Sequence, residues 1–142
     1  MKFFIFIFLS AALVHAEDTS ILGKWLVGDK DAKVELYQNG ENLEGKLVWL
    51  QQPQEPDGKN KLDSKNPEIS LRSQQIQGMI FLKNFKKVEN ENKWTGGTVY
   101  DAKSGKTYSG WIKLIDEKKI ELRGFVGISL FGRTDVWIRD LQ

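Results

Sequence analysis

The sequence holds no cysteine, and its single histidine is His15. Without cysteine the chain carries neither a disulfide framework nor the lipid-bearing cysteine of a bacterial lipoprotein. His15 falls in an N-terminal segment, residues 1–16, that reads as a signal peptide: Lys2, the apolar run Phe3 to Leu13, then Val14-His15-Ala16 as a small-residue cleavage site. Cleavage after Ala16 would leave a chain with neither histidine nor cysteine. That removes Ser-His-Asp and Cys-His catalysis and the usual zinc, copper and haem sites. The expectation is therefore a protein that is not an enzyme and carries no cofactor and no metal. An enzyme built from what remains would have to use carboxylates, tyrosine, lysine or an oxygen-bound metal.

Long hydrophobic runs are lacking too. The run Phe3 to Leu13 is too short to span a bilayer, and nothing after it is apolar enough for a membrane helix. Charge of one sign is also missing. The formal charge is +2, and loss of Lys2 leaves 20 basic against 19 acidic residues, interspersed along the chain. No clustered basic face exists for nucleic acid. The expected location is periplasmic or secreted, in a bacterium. Residues 17–142 then form one domain of ordinary size. With no disulfide, its core must hold it together; a domain of this length buries about two thirds of its unfolded surface.

What is present reads as all-β. Apolar and polar residues alternate, and turn residues recur at short intervals. Strands are expected at about 22–28, 32–38, 42–50, 76–83, 93–100, 107–115, 119–126 and 130–139. Asn39-Gly40 is a hairpin turn whose two residues suit positive φ. In the fourth strand Ile76, Gly78, Ile80 and Leu82 would share one face. In the seventh, Ile120 and Leu122 face in while Lys119, Glu121 and Arg123 face out. Gly96-Gly97 marks a bend, or a close approach of backbone or ligand. The rhythm breaks at about 51–75, where all three prolines (Pro53, Pro56, Pro67) fall. Such a long connection is a lid or a disordered segment. Asn66-Pro67-Glu68 reads as an N-cap, a proline and an acid opening a short helical turn over about 67–72.

Eight antiparallel strands joined by hairpins make an up-and-down barrel the economical fold, since closure removes every edge. Such a barrel is just wide enough to fill with side chains or to hold one small ligand. Its organising contact would join the two ends. Gly23-Lys24-Trp25 opens the first strand, and Arg139 of the last strand would lie over the Trp25 ring. A desolvated contact of this kind reaches about 2 kcal/mol.

The motifs resemble a known family. Gly23-x-Trp25 with a late arginine looks like the lipocalin and fatty-acid-binding (calycin) superfamily. More specific are Asp63-x-x-Asn66-Pro67 with Leu71-Arg72-Ser73, Trp94-x-Gly96-Gly97-x-Val99-Tyr100-Asp101, Gly105-Lys106-Thr107-Tyr108, Leu122-Arg123-Gly124-Phe125-Val126-Gly127, and Leu130-x-Gly132-Arg133-Thr134-x-x-Trp137-x-Arg139. Together these are similar to a family of small exported bacterial proteins, domain of unknown function 2147, over nearly all of residues 17–142. The resemblance implies a lipocalin-like fold and export; it implies no activity. Ala102 stands where the family often has proline, and Tyr37-Gln38-Asn39-Gly40 lacks the cysteine many members carry near that turn.

The candidate ligand-binding residues are Arg133, Tyr100, Tyr108, Trp94, Trp49 and Arg72. The bland reading of the aromatics is core filling. Arg133, Asp135, Trp137 and Arg139 share one face of the last strand. Turned inward, that face needs a charge partner, which Asp135 or an acidic ligand would supply; turned outward, it leaves Val136 and Ile138 to fill the core. Gly23, Trp25 and Arg139 are the barrel-closure residues. Asp63 and Asn66 would pin the long loop, with Asp63 paired to Arg72. Asp57, Asn60 and Asp63 lack the spacing of a calcium loop, and Asp101 and Asp116 read as solvated turn acids rather than an acid/base pair. The leading expectation is a carrier for a small hydrophobic or amphipathic ligand. The alternative is a cell-envelope interaction module with a filled barrel, taking a protein partner or a second copy of itself.

Overall fold

The computed structural model describes residues 21–130 and 132–141. The signal-peptide segment and its cleavage site lie outside the described residues. Eight strands follow one another: β1 (Gly23–Leu26), β2 (Ala32–Asn39), β3 (Asn42–Leu50), β4 (Ile80–Lys87), β5 (Lys93–Asp101), β6 (Lys106–Asp116), β7 (Lys119–Phe125) and β8 (Gly132–Arg139). Each pairs antiparallel with the next, and β8 returns to β1, so the sheet closes into a barrel in sequence order. The β2–β3, β4–β5 and β6–β7 turns, with the start of β1 and the end of β8, make one end, here the closed end. The other turns and the long loop make the open end.

Alternation dictates which side chains turn inward. Trp25, Val34, Leu36, Leu43, Leu82, Phe85, Trp94, Ile112, Ile120 and Trp137 form one buried cluster. Trp25 is wholly buried, and removing a ring of that size from water contributes roughly 2–3 kcal/mol. Room for the cluster comes from glycines. A Cβ on Gly97 would sit 2.3 Å from the Phe85 ring, and one on Gly45 would sit 2.6 Å from Leu82. The glycine at 97 therefore admits the Phe85 ring and leaves no room for a ligand there.

Several local expectations are corrected. β4 runs over Ile80–Lys87, not 76–83. Gly78 adopts φ +94 and Asn84 φ +64, so the even alternation from Ile76 does not continue. Ile76 belongs to the loop, where its N–H donates to the Lys61 carbonyl. Phe85, three residues after Leu82, is buried with it because the backbone bulges at Asn84. The β2–β3 hairpin turns on Gly40-Glu41, since Asn39 pairs with Asn42, and only Gly40 has a positive φ. The helical turn in the loop is a short 3-10 helix, Ile69–Leu71, that begins after Glu68. Asn66 lies outside it; its Oδ1 accepts from the Glu68 N–H at 2.8 Å, bracketing Pro67.

Candidate binding cavity at the open end

The closed end is sealed by the two ends of the barrel sheet. Trp25 pairs in register with Arg139, and the guanidinium carbon lies 4.2 Å from the centroid of the Trp25 ring. Arg139 Nη1 donates to the Leu22 carbonyl at 2.9 Å and Nε to the Glu117 carbonyl at 2.5 Å. The Trp25 indole N–H donates to the Ile21 carbonyl at 3.0 Å. Gly23 stands at φ +122, and a Cβ there would meet Arg139 Nη1 at 3.2 Å. Gly23, Trp25 and Arg139 thus meet in one plug. Phe85 and Leu82 fill the barrel behind it.

Two concavities open at the other end. One cavity of about 570 Å³ is walled by Val99, Leu122, Gly124, Phe125 and Val126, with Tyr108, Arg133, Asp135, Asp29 and Asp101 also lining it. A second, of about 560 Å³, is lined by Leu47, Leu50, Met79, Phe81 and Tyr100 among others, and Asp101 borders both. Either volume lies in the range of small-molecule sites. The inward face of β8 is the one bearing Arg133, Asp135 and Trp137: Trp137 is buried, whereas Val136 and Ile138 are exposed and do not fill the core. Asp135 does not pair with Arg133. Its Oδ2 accepts from the Trp137 indole N–H at 2.7 Å and the Gly28 N–H at 3.3 Å. Asp101 is used within its own turn, accepting from the Lys103 N–H and the Ser104 hydroxyl. Arg133 and the Tyr108 hydroxyl have no hydrogen-bond or ion-pair partner among the described residues, so both are available to a ligand.

The long loop is held by a buried carboxylate. Asp63 is fully buried. The Tyr100 hydroxyl donates to its Oδ1 at 2.6 Å. Asn66 Nδ2 and Gln74 Nε2 donate to its Oδ2 at 2.8 and 3.0 Å. Burial by itself would raise the Asp63 pKa; the hydrogen bonds from Tyr100, Asn66 and Gln74 outweigh it and hold the carboxyl below the ordinary aspartate range. Burial, then the bond to Asp63, pushes the Tyr100 phenol up to about 12. The loop is also fastened at the β5–β6 turn, where Lys65 Nζ donates to the Lys103 carbonyl at 2.8 Å. Gly105, at φ +73, leaves space there for the Lys65 carbonyl.

This arrangement corrects four of the sequence expectations. Arg72 does not pair with Asp63. It is exposed and donates through Nε to the Asn66 carbonyl at 2.7 Å, because Asp63 already has three donors. Tyr100 borders the second cavity, but its hydroxyl is committed to the loop. Trp94 is core, 3% exposed. Trp49 points away from the barrel: Val48 is an extra residue between the pairs Lys33–Trp49 and Val34–Leu47, and this bulge turns Trp49 outward beneath Lys33. Of the proposed ligand-binding residues, the structure brings Arg133 and Tyr108 together at one cavity. Leu122, Phe125 and Phe81 were not singled out as cavity residues, since inward parity alone does not separate a wall from a core. Gln74 carried no signal at all.

Among the described residues no three His, Cys, Asp or Glu side chains converge to hold a metal ion. Asp101 and Asp116 lie at opposite ends of the barrel, and Asp116 accepts from the Lys118 N–H within its turn.

Among curated proteins none matches this chain. Among solved structures it is similar to protein HP1028 from the human pathogen Helicobacter pylori, described as belonging to the lipocalin family. The TM-score is 0.66 and the identity 24%, over 77% of this chain and 72% of that one. That likeness establishes a lipocalin-like fold. A family profile matches residues 23–139, from the glycine that opens β1 to the arginine that closes on Trp25, and the chain belongs to that family, described as "Uncharacterized protein conserved in bacteria (DUF2147)".

Proposed function

We propose that the protein is a non-enzymatic, exported carrier that holds a small, mostly apolar ligand in the open half of its barrel. The observation that carries this reading is the division of the interior. One half is packed around Phe85 and sealed by Trp25 and Arg139, and the other is a cavity with apolar walls and an unpartnered arginine at its rim. Val99, Leu122 and Phe125 would bury the ligand's apolar body. Arg133 and Tyr108 would hold an acidic end group, a charge-assisted contact stronger than a neutral one. A wholly filled barrel serving as an interaction module fits this interior poorly. Export, to periplasm or medium, rests on the reading of residues 1–16. Native mass spectrometry of protein purified from its own host tests the proposal: a retained lipid, fatty acid or isoprenoid is the expected result. A chain that neither retains nor binds any of these would refute it.

A further inference from the structure

Asp29, Asp101 and Asp135 line the first cavity together with Arg133. One guanidinium thus stands among three carboxylates, which do not converge to hold a metal ion. Two of these acids are engaged within the protein. Asp101 closes its own turn, and Asp135 accepts from the Trp137 indole and the Gly28 N–H. The bond to Gly28 fixes the β1–β2 turn against β8. A glycine suits that position, because a Cβ there would collide with Asp135 Oδ1. The residue after Gly28 is Asp29. Its carboxylate has no hydrogen-bond or ion-pair partner among the described residues, and neither has the Arg133 guanidinium. These two opposite charges line one cavity and yet do not pair with each other.

We infer that the ligand's polar end carries an ammonium as well as an acid, so that the ligand is a single-chain zwitterionic amphiphile. The inference rests on the carrier reading above and narrows it. The acid would lie on Arg133 and the Tyr108 hydroxyl, and the ammonium on the Asp29 carboxylate. The charge balance of the mouth favours this head group. A bare fatty acid would bring a fourth negative group to a cavity lined by one positive one, and would leave Asp29 unanswered. A bare amine would meet Asp29 but set a second positive charge beside Arg133. A head group with both signs answers both free side chains. Such a site selects by repelling the wrong head group as well as by attracting the right one. Two kinds of head group share this chemistry. In an α-amino acid the two charges flank one carbon; in phosphoethanolamine a short chain separates them.

Calorimetric titration of the purified protein tests this, with probes of one chain length kept below micelle-forming concentrations. The probes are dodecanoic acid, dodecylamine, α-aminododecanoic acid and lauroyl lysophosphatidylethanolamine. At least one zwitterion should bind about fivefold or more tightly than both the acid and the amine, the size of a charge contact at an exposed rim. Which zwitterion it is identifies the head group. Asp29→Asn should weaken that zwitterion about fivefold and strengthen dodecanoic acid, opposite signs that poor folding does not produce. Glu117→Gln, the same change of charge at the closed end, should move neither. Either single-charge probe binding as tightly as both zwitterions would overturn the inference and leave the carrier reading standing. So would an Asp29→Asn variant that shifts acid and zwitterion alike, or shifts neither. Binding of none of the probes would end both.

Discussion

Replacing Tyr100 with phenylalanine removes one oxygen and leaves the ring in place. That oxygen donates to Asp63 Oδ1 at 2.6 Å, and Asp63 is fully buried. The other two side-chain donors, Asn66 and Gln74, both use Oδ2. Tyr100→Phe therefore leaves one oxygen of a buried carboxylate without its side-chain donor. A hydrogen bond to a charged group contributes about 1.5–3 kcal/mol, and the stranded acceptor adds to the loss. A cost of about 2–3 kcal/mol is expected. For a domain of this size that lowers Tm by about 8–12 °C in a thermal scan followed by circular dichroism. The same variant tests the pH dependence. Asp63 titrates below its unfolded value, so its contribution is complete above about pH 4 and fades as pH falls through its folded pKa. Tyr100 titrates above its unfolded value of about 10, so its contribution is complete below pH 10 and fades as pH rises toward about 12. Tyr100→Phe should flatten both limbs of the stability curve, the alkaline one most. A variant within about 2 °C of the parent, with both limbs intact, would refute the claim that this pair pins the loop.

Other outcomes follow from single contacts. Gly97→Ala puts a methyl 2.3 Å from the Phe85 ring and should cost about 3 kcal/mol in urea denaturation. Phe85→Leu in the same chain should recover part of it. Gly124→Ala, whose nearest neighbour is Tyr108 Cβ at 3.8 Å, should change stability by less than about 0.5 kcal/mol. Arg139→Ala removes the stack on Trp25 and two carbonyl contacts; it should cost about 2–3 kcal/mol and shift Trp25 emission to longer wavelength. Trp94→Ala should cost about 3–5 kcal/mol, whereas Trp49→Ala, on the outer surface, should cost under about 1 kcal/mol.

What could be read in advance and what could not divides along physical lines. Closure at Trp25 and Arg139 was legible because an eight-strand meander has only two free edges, and these belong to the first and last strands. The inward face of β7 was legible because Ile120 and Leu122 alternate cleanly with charged neighbours. Bulges were not. Val48 and Asn84 each break the period of two, and nothing in their side chains marks them, so even alternation puts Trp49 inside and passes over Phe85. The loop anchor was half legible. The Asp63-x-x-Asn66 motif marks the place, but the partner is Tyr100, 37 residues away, rather than the nearby Arg72. Contacts between an aperiodic loop and a strand leave no repeat to read. The glycines of β5 were expected to serve either a bend or a close approach. Gly96, at φ +76, takes the bend and Gly97 the approach, with Phe85 as the guest.

The division of the interior is tested most directly by a nuclear magnetic resonance titration of the isotopically labelled protein with a medium-chain fatty acid. Saturable shifts are expected at Val99, Tyr108, Leu122, Gly124 and Arg133, with the Trp25 and Phe85 signals unmoved. Shifts centred on Trp25 and Phe85, or none at the open end at saturating ligand, would contradict a barrel that is packed at one end and hollow at the other.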